Sequence, residues 1–330
     1  MEQAQDIHKF EIANFEFQNG TVLPSVQLSY LDINADQAKT ALVVTCFRGR
    51  LHTTLNFARG ALRNHRIIVV ALFGNSESSS PSNTAGFPAS LDYRDCVRAQ
   101  HALLTSHLGI NTIDIAVGFS MGGQCVYHWL CMYPDMVGKA SIICSSARTS
   151  KHNFQFLEGP KFALTESIDY AKDQTSSKTV RGLRAFGKAY SAWLTSPEWF
   201  DQELYKTQGY TSLEAWDEVV AGTNYAGWHP EDLLVKLGMW QKSDITIHGT
   251  VQNSSLETVL GDIKAPVLLM PCQTDQYFRW EASEREAAQM KHAVLKVIPS
   301  VWGHLAGAGV DSEDRNWLDS TLSEFLSENV

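Results

Sequence analysis

Hydrophobic and polar positions alternate through residues 10–31, on both sides of Asn19-Gly20. Both of those residues tolerate positive φ, so the pattern predicts an antiparallel hairpin near the start of the chain. Beyond it the pattern changes to short, mostly apolar runs rich in β-branched residues, at 41–45, 66–73, 113–117, 140–144, 266–270 and 294–298. Runs of that length suit strands covered on both faces, as in a parallel sheet. Helical patterns lie between them at about 92–108, 121–133, 281–291 and 311–327. Strands alternating with helices predict an α/β class: a mostly parallel central sheet with helices on both faces.

Residues from about 150 to 250 break that rhythm. They hold no long β-branched run, and they contain Trp193, Trp199, Trp216, Trp228 and Trp240. Helical segments are predicted near 178–194, 197–207, 212–221 and 230–241. The reading is a helical cap, residues 151–250, inserted into an α/β core made of 1–150 and 251–330. The aromatics of the cap can pack a helical core or line an apolar acyl pocket, with Trp193 and Trp228 the candidates for substrate contact.

Composition narrows the function classes. With 330 residues, 44% of them hydrophobic, the chain can bury a large core. Its 27 basic and 36 acidic residues give a net charge of -9, and no Lys/Arg cluster forms the basic face that nucleic acid requires. No apolar stretch reaches 18 residues, so no membrane helix is predicted. The first residues lack a secretory pattern and the last carry no targeting tag, so the expected location is the cytoplasm. Cys46, Cys96, Cys125, Cys131, Cys144 and Cys272 form no C-x-x-C pair, and free thiols are expected. The histidines show no metal-ligand spacing, so neither a metal nor another cofactor is expected.

The chemistry concentrates at Gly118-Phe119-Ser120-Met121-Gly122. This is G-x-S-x-G between a predicted strand and a predicted helix, the context the motif needs. A serine in so tight a turn projects Oγ above the sheet, and the helix N-terminus favours a developing oxyanion. A hydroxyl needs a base, and the base needs an orienting acid. Asp275 follows the run 266–270, and His304 follows the run 294–298. Both therefore fall in loops at the carboxyl edge of the sheet, where Ser120 also lies. His229, His248 and His292 lack that placement, and Asp262 precedes its strand. The oxyanion donors expected are the N–H of Met121 and one from loop 45–49, Phe47 first, with Cys46 or Arg48 as neighbours. Arg48 and Arg50 in that loop are either solvated charges or recognition groups for a carboxylate or a phosphate-bearing acyl carrier.

Gly-Phe-Ser-Met-Gly-Gly at 118–123 resembles the nucleophile elbow of the homoserine O-acetyltransferase-like branch of the α/β hydrolases. Phe73-Gly74-Asn75 with Ser78-Ser79-Ser80-Pro81-Ser82-Asn83, Asp95-Cys96-Val97-Arg98-Ala99-Gln100, Tyr133-Pro134-Asp135-Met136-Val137, Ser145-Ser146-Ala147-Arg148-Thr149-Ser150 and Gly303-His304-Leu305-Ala306-Gly307 are similar to further segments of that branch. The resemblance implies the α/β-hydrolase fold, an acyl-serine mechanism without metal or prosthetic group, the triad Ser120, Asp275 and His304, and oxyanion donors Phe47 and Met121. It also implies that an Asp should follow the histidine where homoserine is the acceptor. Here Leu305 stands there, and a buried substrate ammonium would go unpaired.

The leading expectation is therefore acyl transfer through Ser120 from a thioester or ester, with a polyketide-like acyl chain, to water or an alcohol; an internal alcohol would give a lactone. The alternatives are carbon–carbon cleavage of a β-diketone, homoserine acetylation, or a ligand receptor on the same fold. The partner expected is a small acyl substrate, free or carried on coenzyme A or an acyl carrier protein, with neither nucleic acid nor membrane; a homodimer is left open.

Overall fold

The apolar runs form strands whose two faces are both covered. The structure, a computed structural model, describes residues 5–171, 178–251 and 254–328. In chain order it contains β1 (His8–Glu16), β2 (Val22–Ile33), β3 (Lys39–Val44), β4 (His65–Val70), α1 (Tyr93–Ala102), β5 (Ile115–Phe119), α2 (Met121–Met132) and β6 (Ala140–Ile143). There follow α3 (Lys151–Thr165), α4 (Val180–Ser191), α5 (Pro197–Asp201), α6 (Leu213–Trp216), α7 (Pro230–Gln241) and α8 (Leu256–Gly261). The chain then returns to the sheet with β7 (Val267–Met270), α9 (Trp280–Ala287), β8 (Ala293–Leu295), α10 (His304–Gly307) and α11 (Ser312–Ser327).

The strands make one eight-stranded sheet in the order β1-β2-β4-β3-β5-β6-β7-β8. The first hairpin is antiparallel to its neighbours, with Ile12 opposite Val26 and Tyr30 opposite Val70. The strands from β4 to β8 are parallel. Gly20 turns the hairpin at φ 84°, and the N–H of Phe17 bonds the Thr21 carbonyl at 2.8 Å. This is the turn that Asn19-Gly20 predicts.

Period-2 geometry divides each apolar run between two cores. Leu42, Val44, Ile68, Val70, Ala116 and Leu269 point into one, with α1 and α2. Ala41, Val43, Ile67, Val69, Ile115 and Leu268 point into the other, with α11. Each of these Val, Leu and Ile side chains contributes ~1.5–3 kcal/mol by leaving water, and each Ala less. A polar residue on either face would forfeit this, which is why the runs do not alternate.

Every regular element described between β6 and β7 is helical. The sequence pattern missed α3, because Gly159-Pro160 interrupts its periodicity. The helix forms around a buried Pro160, started by Ser150, whose side chain accepts the Asn153 N–H. The predicted segments 92–108 and 212–221 each end in a wide π-type turn, at Leu103–His107 and Asp217–Ala221. The predicted strand 294–298 pairs continuously only to Leu295, with an isolated bridge from Ile298 to Cys272. Among the described residues no helix is long and apolar enough to cross a membrane.

The helices are tied to the sheet edge by a buried acid. Glu286 on α9 accepts the Tyr127 hydroxyl of α2 at 2.7 Å and the Ala147 N–H beyond β6 at 3.0 Å. Desolvation outweighs both bonds and pushes its carboxyl up to about 7. A folded pKa above the ordinary value of 4.5 stabilises the fold at low pH, and that contribution is lost as pH rises towards about 7. Denaturant unfolding across that window should show the wild type losing about 3 kcal/mol more than Glu286→Gln. Parallel pH curves would show that Glu286 does not titrate there.

Candidate active site

β5 ends at Phe119 and α2 begins at Met121, so Ser120 alone makes the turn. It is held at φ 56° and ψ -125°, a conformation that a side chain disfavours. Three bonds fix it. Its N–H donates to the Ile143 carbonyl at 2.9 Å, and its carbonyl accepts the Ser145 hydroxyl at 2.7 Å and the Gln124 N–H at 3.1 Å. The two motif glycines are required by contact. A Cβ on Gly118 would lie 2.3 Å from the Gly122 backbone, and one on Gly122 would lie 2.4 Å from the Val44 carbonyl. Helix and strand thus touch backbone to backbone, and Ser120 has no room to relax.

His304 opens α10 after Gly303, whose φ is 58° and whose missing Cβ would meet the Thr195 backbone at 2.7 Å. Its Nδ1 lies 2.6 Å from Asp275 Oδ2. Asp275 Oδ1 accepts the N–H groups of Tyr277 and Phe278 at 3.1 and 3.0 Å, so the carboxylate is fixed from both sides. With Nδ1 donating to the carboxylate, Nε2 is the nitrogen left to accept a proton. The rings of Phe119 and Tyr277 flank the imidazole at 4.6 and 4.4 Å. Ser120 and His304 line one cavity of about 540 Å³. Phe47, Arg48, Arg50, Trp199, Trp216, Trp228 and Leu305 line it too.

Met121 occupies the first turn of α2, where backbone N–H groups have no intrahelical acceptor. The Phe47 ring packs among Tyr190, Trp240 and Phe186 at 6.1, 5.7 and 6.3 Å. Trp228 meets the cavity, but its face is covered by the Arg50 guanidinium at 3.9 Å. Arg50 also donates to the Asn75 carbonyl, and Arg48 Nε to the Asn224 carbonyl at 3.0 Å. Arg50 thus spends a donor and its flat face inside the protein, whereas Arg48 is exposed and gives up a single N–H. Trp193 is not part of the cavity wall; it packs on Phe156 at 4.7 Å, under α3, the helix the sequence pattern did not reveal.

Two residues beside the site escaped the sequence reading. Ser145 braces the Ser120 carbonyl. Lys236, on α7, is fully buried and donates to the carbonyls of Cys46 and Phe47 at 2.9 and 2.5 Å. A signal for it existed: Asp232 and Lys236 stand four apart in a run otherwise dominated by apolar residues. Cys144, Asp275 and His304 bring a sulfur, an oxygen and a nitrogen within 4.8 Å of one another. Burial pushes the Cys144 thiol well up and His304 Nδ1 is bonded to Asp275, so the trio suits hydrogen bonding better than a cation.

Asp275→Asn keeps the shape of the acid but presents an amide to Nδ1. It is expected to lower kcat on an activated ester by about 10³–10⁴-fold, with melting temperature little changed. Activity near wild type would remove Asp275 from the site's chemistry.

The comparisons with known proteins agree with this architecture. The family model described as alpha/beta hydrolase fold matches residues 43–307. An ethyl acetate hydrolase of Pseudomonas veronii is 32% identical, over 96% of this chain and 95% of its own. The crystal structure of an acetylester hydrolase from Corynebacterium glutamicum superposes with a TM-score of 0.92 at 26% identity, covering 98% of this chain and 96% of that one. A homoserine O-acetyltransferase of Trichormus variabilis is 24% identical over 88% of this chain and 86% of its own. Hydrolysis and acyl transfer are the activities these names carry. The chain belongs to the α/β-hydrolase-fold enzymes, in the branch that esterases share with homoserine O-acetyltransferases.

Proposed function

We propose that the protein is a carboxylesterase that passes the acyl group of a small ester to Ser120 and then to water. The observation that carries this reading is one cavity lined both by a buried Ser120 at positive φ and by a His304 oriented by Asp275. Ser120 Oγ adds to the ester carbonyl, its proton goes to His304 Nε2, and the carbonyl electron pair moves to the oxygen. The N–H groups of Met121 and Phe47 receive that oxyanion. Collapse expels the alkoxide, which takes the proton from His304. Water then repeats the sequence on acyl-Ser120, releases the acid and restores the serine.

Water is the favoured acceptor because Leu305, beside His304, makes the cavity wall there apolar. A zwitterionic acceptor such as homoserine would bring an ammonium with no carboxylate to meet it. The acyl donor proposed is a small free ester rather than the polyketide-like or carrier-bound chain first expected. The ethyl acetate and acetylester hydrolases support this, as does the commitment of Arg50 to the Asn75 carbonyl and the Trp228 ring, which a carrier phosphate would need to undo.

Purified protein should hydrolyse ethyl acetate and 4-nitrophenyl acetate, with kcat/KM falling as the acyl chain lengthens. Ser120→Ala should lose about 10⁴-fold or more of kcat. With acetyl-CoA and homoserine the wild type should yield no O-acetylhomoserine. An active Ser120→Ala protein, or homoserine acetylation faster than hydrolysis, would overturn the reading.

A further inference from the structure

We propose that Lys236 is a positioning residue for the oxyanion site: its ammonium holds the carbonyls of Cys46 and Phe47 so that the Phe47 N–H, on the Cys46 peptide, faces the cavity. The inference rests on the esterase reading above. It starts from peptide geometry. In a trans peptide the C=O and N–H point in opposite directions from one plane. The Cys46 carbonyl belongs to the peptide whose N–H is that of Phe47. The Phe47 carbonyl belongs to the peptide whose N–H is that of Arg48. Lys236 Nζ donates to both carbonyls, at 2.9 and 2.5 Å. One ammonium therefore fixes the plane that carries the Phe47 N–H, the first candidate donor of this loop, together with the next plane, whose Arg48 N–H bonds the Cys46 thiol; Phe47 itself lines the cavity with Ser120.

A buried charge is an expensive way to hold a loop. Lys236 is fully buried, its two acceptors are neutral carbonyls, and its remaining surroundings include the rings of Phe47 and Trp228 at 5.6 and 5.4 Å. Its burial pushes the ammonium down to about 7, a measure of that cost. Neutral donors could bond the same carbonyls. What only a cation adds is a positive potential behind the Cys46–Phe47 peptide, which polarises it and strengthens the Phe47 N–H as a donor towards an anion. An oxyanion forming at Ser120 is the group that would use it. The ground-state ester, uncharged, would gain much less, so the benefit falls on the reaction rather than on binding.

The helix is organised around this task. Asp232, one turn before Lys236, accepts the hydroxyls of Ser76 and Ser82 at 2.5 and 2.6 Å and the Ser82 N–H at 2.9 Å. Trp240, one turn after, packs on the Phe47 ring at 5.7 Å. Residues four apart share a helix face. One face of α7 thus holds the loop after β4 through Asp232 and the loop after β3 through Lys236 and Trp240.

The test uses the full-length protein, acetate ester hydrolysis, and two ligands. A short alkyl trifluoromethyl ketone forms an oxyanion when Ser120 adds to it, whereas the corresponding trifluoromethyl carbinol cannot. Lys236→Met should lower kcat by about 10–100-fold, less than the ~10²–10³-fold typical of deleting a donor outright. KM and the affinity for the carbinol should stay within about three-fold, and the ketone should weaken by the same factor as kcat. Lys236→Gln, which restores a donor without the charge, should fall between Lys236→Met and wild type. Should Lys236→Met fail to fold, Lys236→Gln alone must show the selective loss of the ketone. A variant in which kcat and ketone affinity stay near wild type, or in which ketone and carbinol weaken together, overturns the inference. Ser120→Ala in the same assay separates the two levels. If it stays active, the esterase reading falls; if it is inactive while Lys236→Met retains kcat and ketone affinity, only the role of Lys236 falls.

Discussion

The backbone contact between β5 and α2 is the constraint from which the site follows. Gly118 and Gly122 bring strand and helix so close that no side chain fits between them, and Ser120 bridges them at a positive φ. Such a conformation costs on the order of 1–3 kcal/mol and persists only where its surroundings over-determine it. Here they do. Ile143 and Ser145 from the end of β6 bond its N–H and carbonyl, and Gly122 rests against Val44 at the end of β3. The two neighbouring strands therefore fix the serine. The same carboxyl edge delivers the other parts: Phe47 after β3, Asp275 after β7 and His304 after β8.

The helices between β6 and β7 complete the arrangement from above. Their aromatic rings pack on one another and on the loops that carry Phe47, Tyr277 and His304. Tyr190 stacks on Phe47, Trp240 on Phe278, and Phe156 on Tyr277, which in turn lies against His304. A mostly apolar, ring-lined environment strengthens each hydrogen bond inside it and raises the cost of any charge left unpaired. That gives the polar groups of the region their meaning. Asp275 is held by two N–H groups and His304, and Lys236 by two carbonyls. Arg50 lies on Trp228. Leu305 offers the acceptor side nothing to pair with a charge.

Much of this was legible in the sequence, and the reasons are physical. Strands buried on both faces must be continuously apolar, so the sheet announces itself. The nucleophile turn needs Gly at two fixed positions, so G-x-S-x-G after such a strand is specific. Asp275 and His304 were expected to meet from their distance past strand ends, which the parallel topology makes meaningful, and they lie 2.6 Å apart. What stayed hidden depended on tertiary contact. Helix α3 is carried by packing despite Pro160. Trp193 looked like its neighbours, but its surroundings were set by that helix. Lys236 carries no signal of its role until the fold places it against the carbonyls of Cys46 and Phe47. Arg50 could be read as a solvated charge or as a recognition group, yet its partners, Asn75 and Trp228, are distant in sequence and could not be foreseen.

The central claim is that chemistry passes through a covalent acyl-Ser120. Rapid acid quench of the protein with excess 4-nitrophenyl acetate, followed by peptide mass spectrometry, tests it directly. The account predicts one acetyl group on the peptide containing Ser120, formed in the first turnover and lost as the ester is consumed. Steady turnover with that peptide unmodified at every time point, or an acetyl group on a different residue that forms and decays at the rate of turnover, would contradict it.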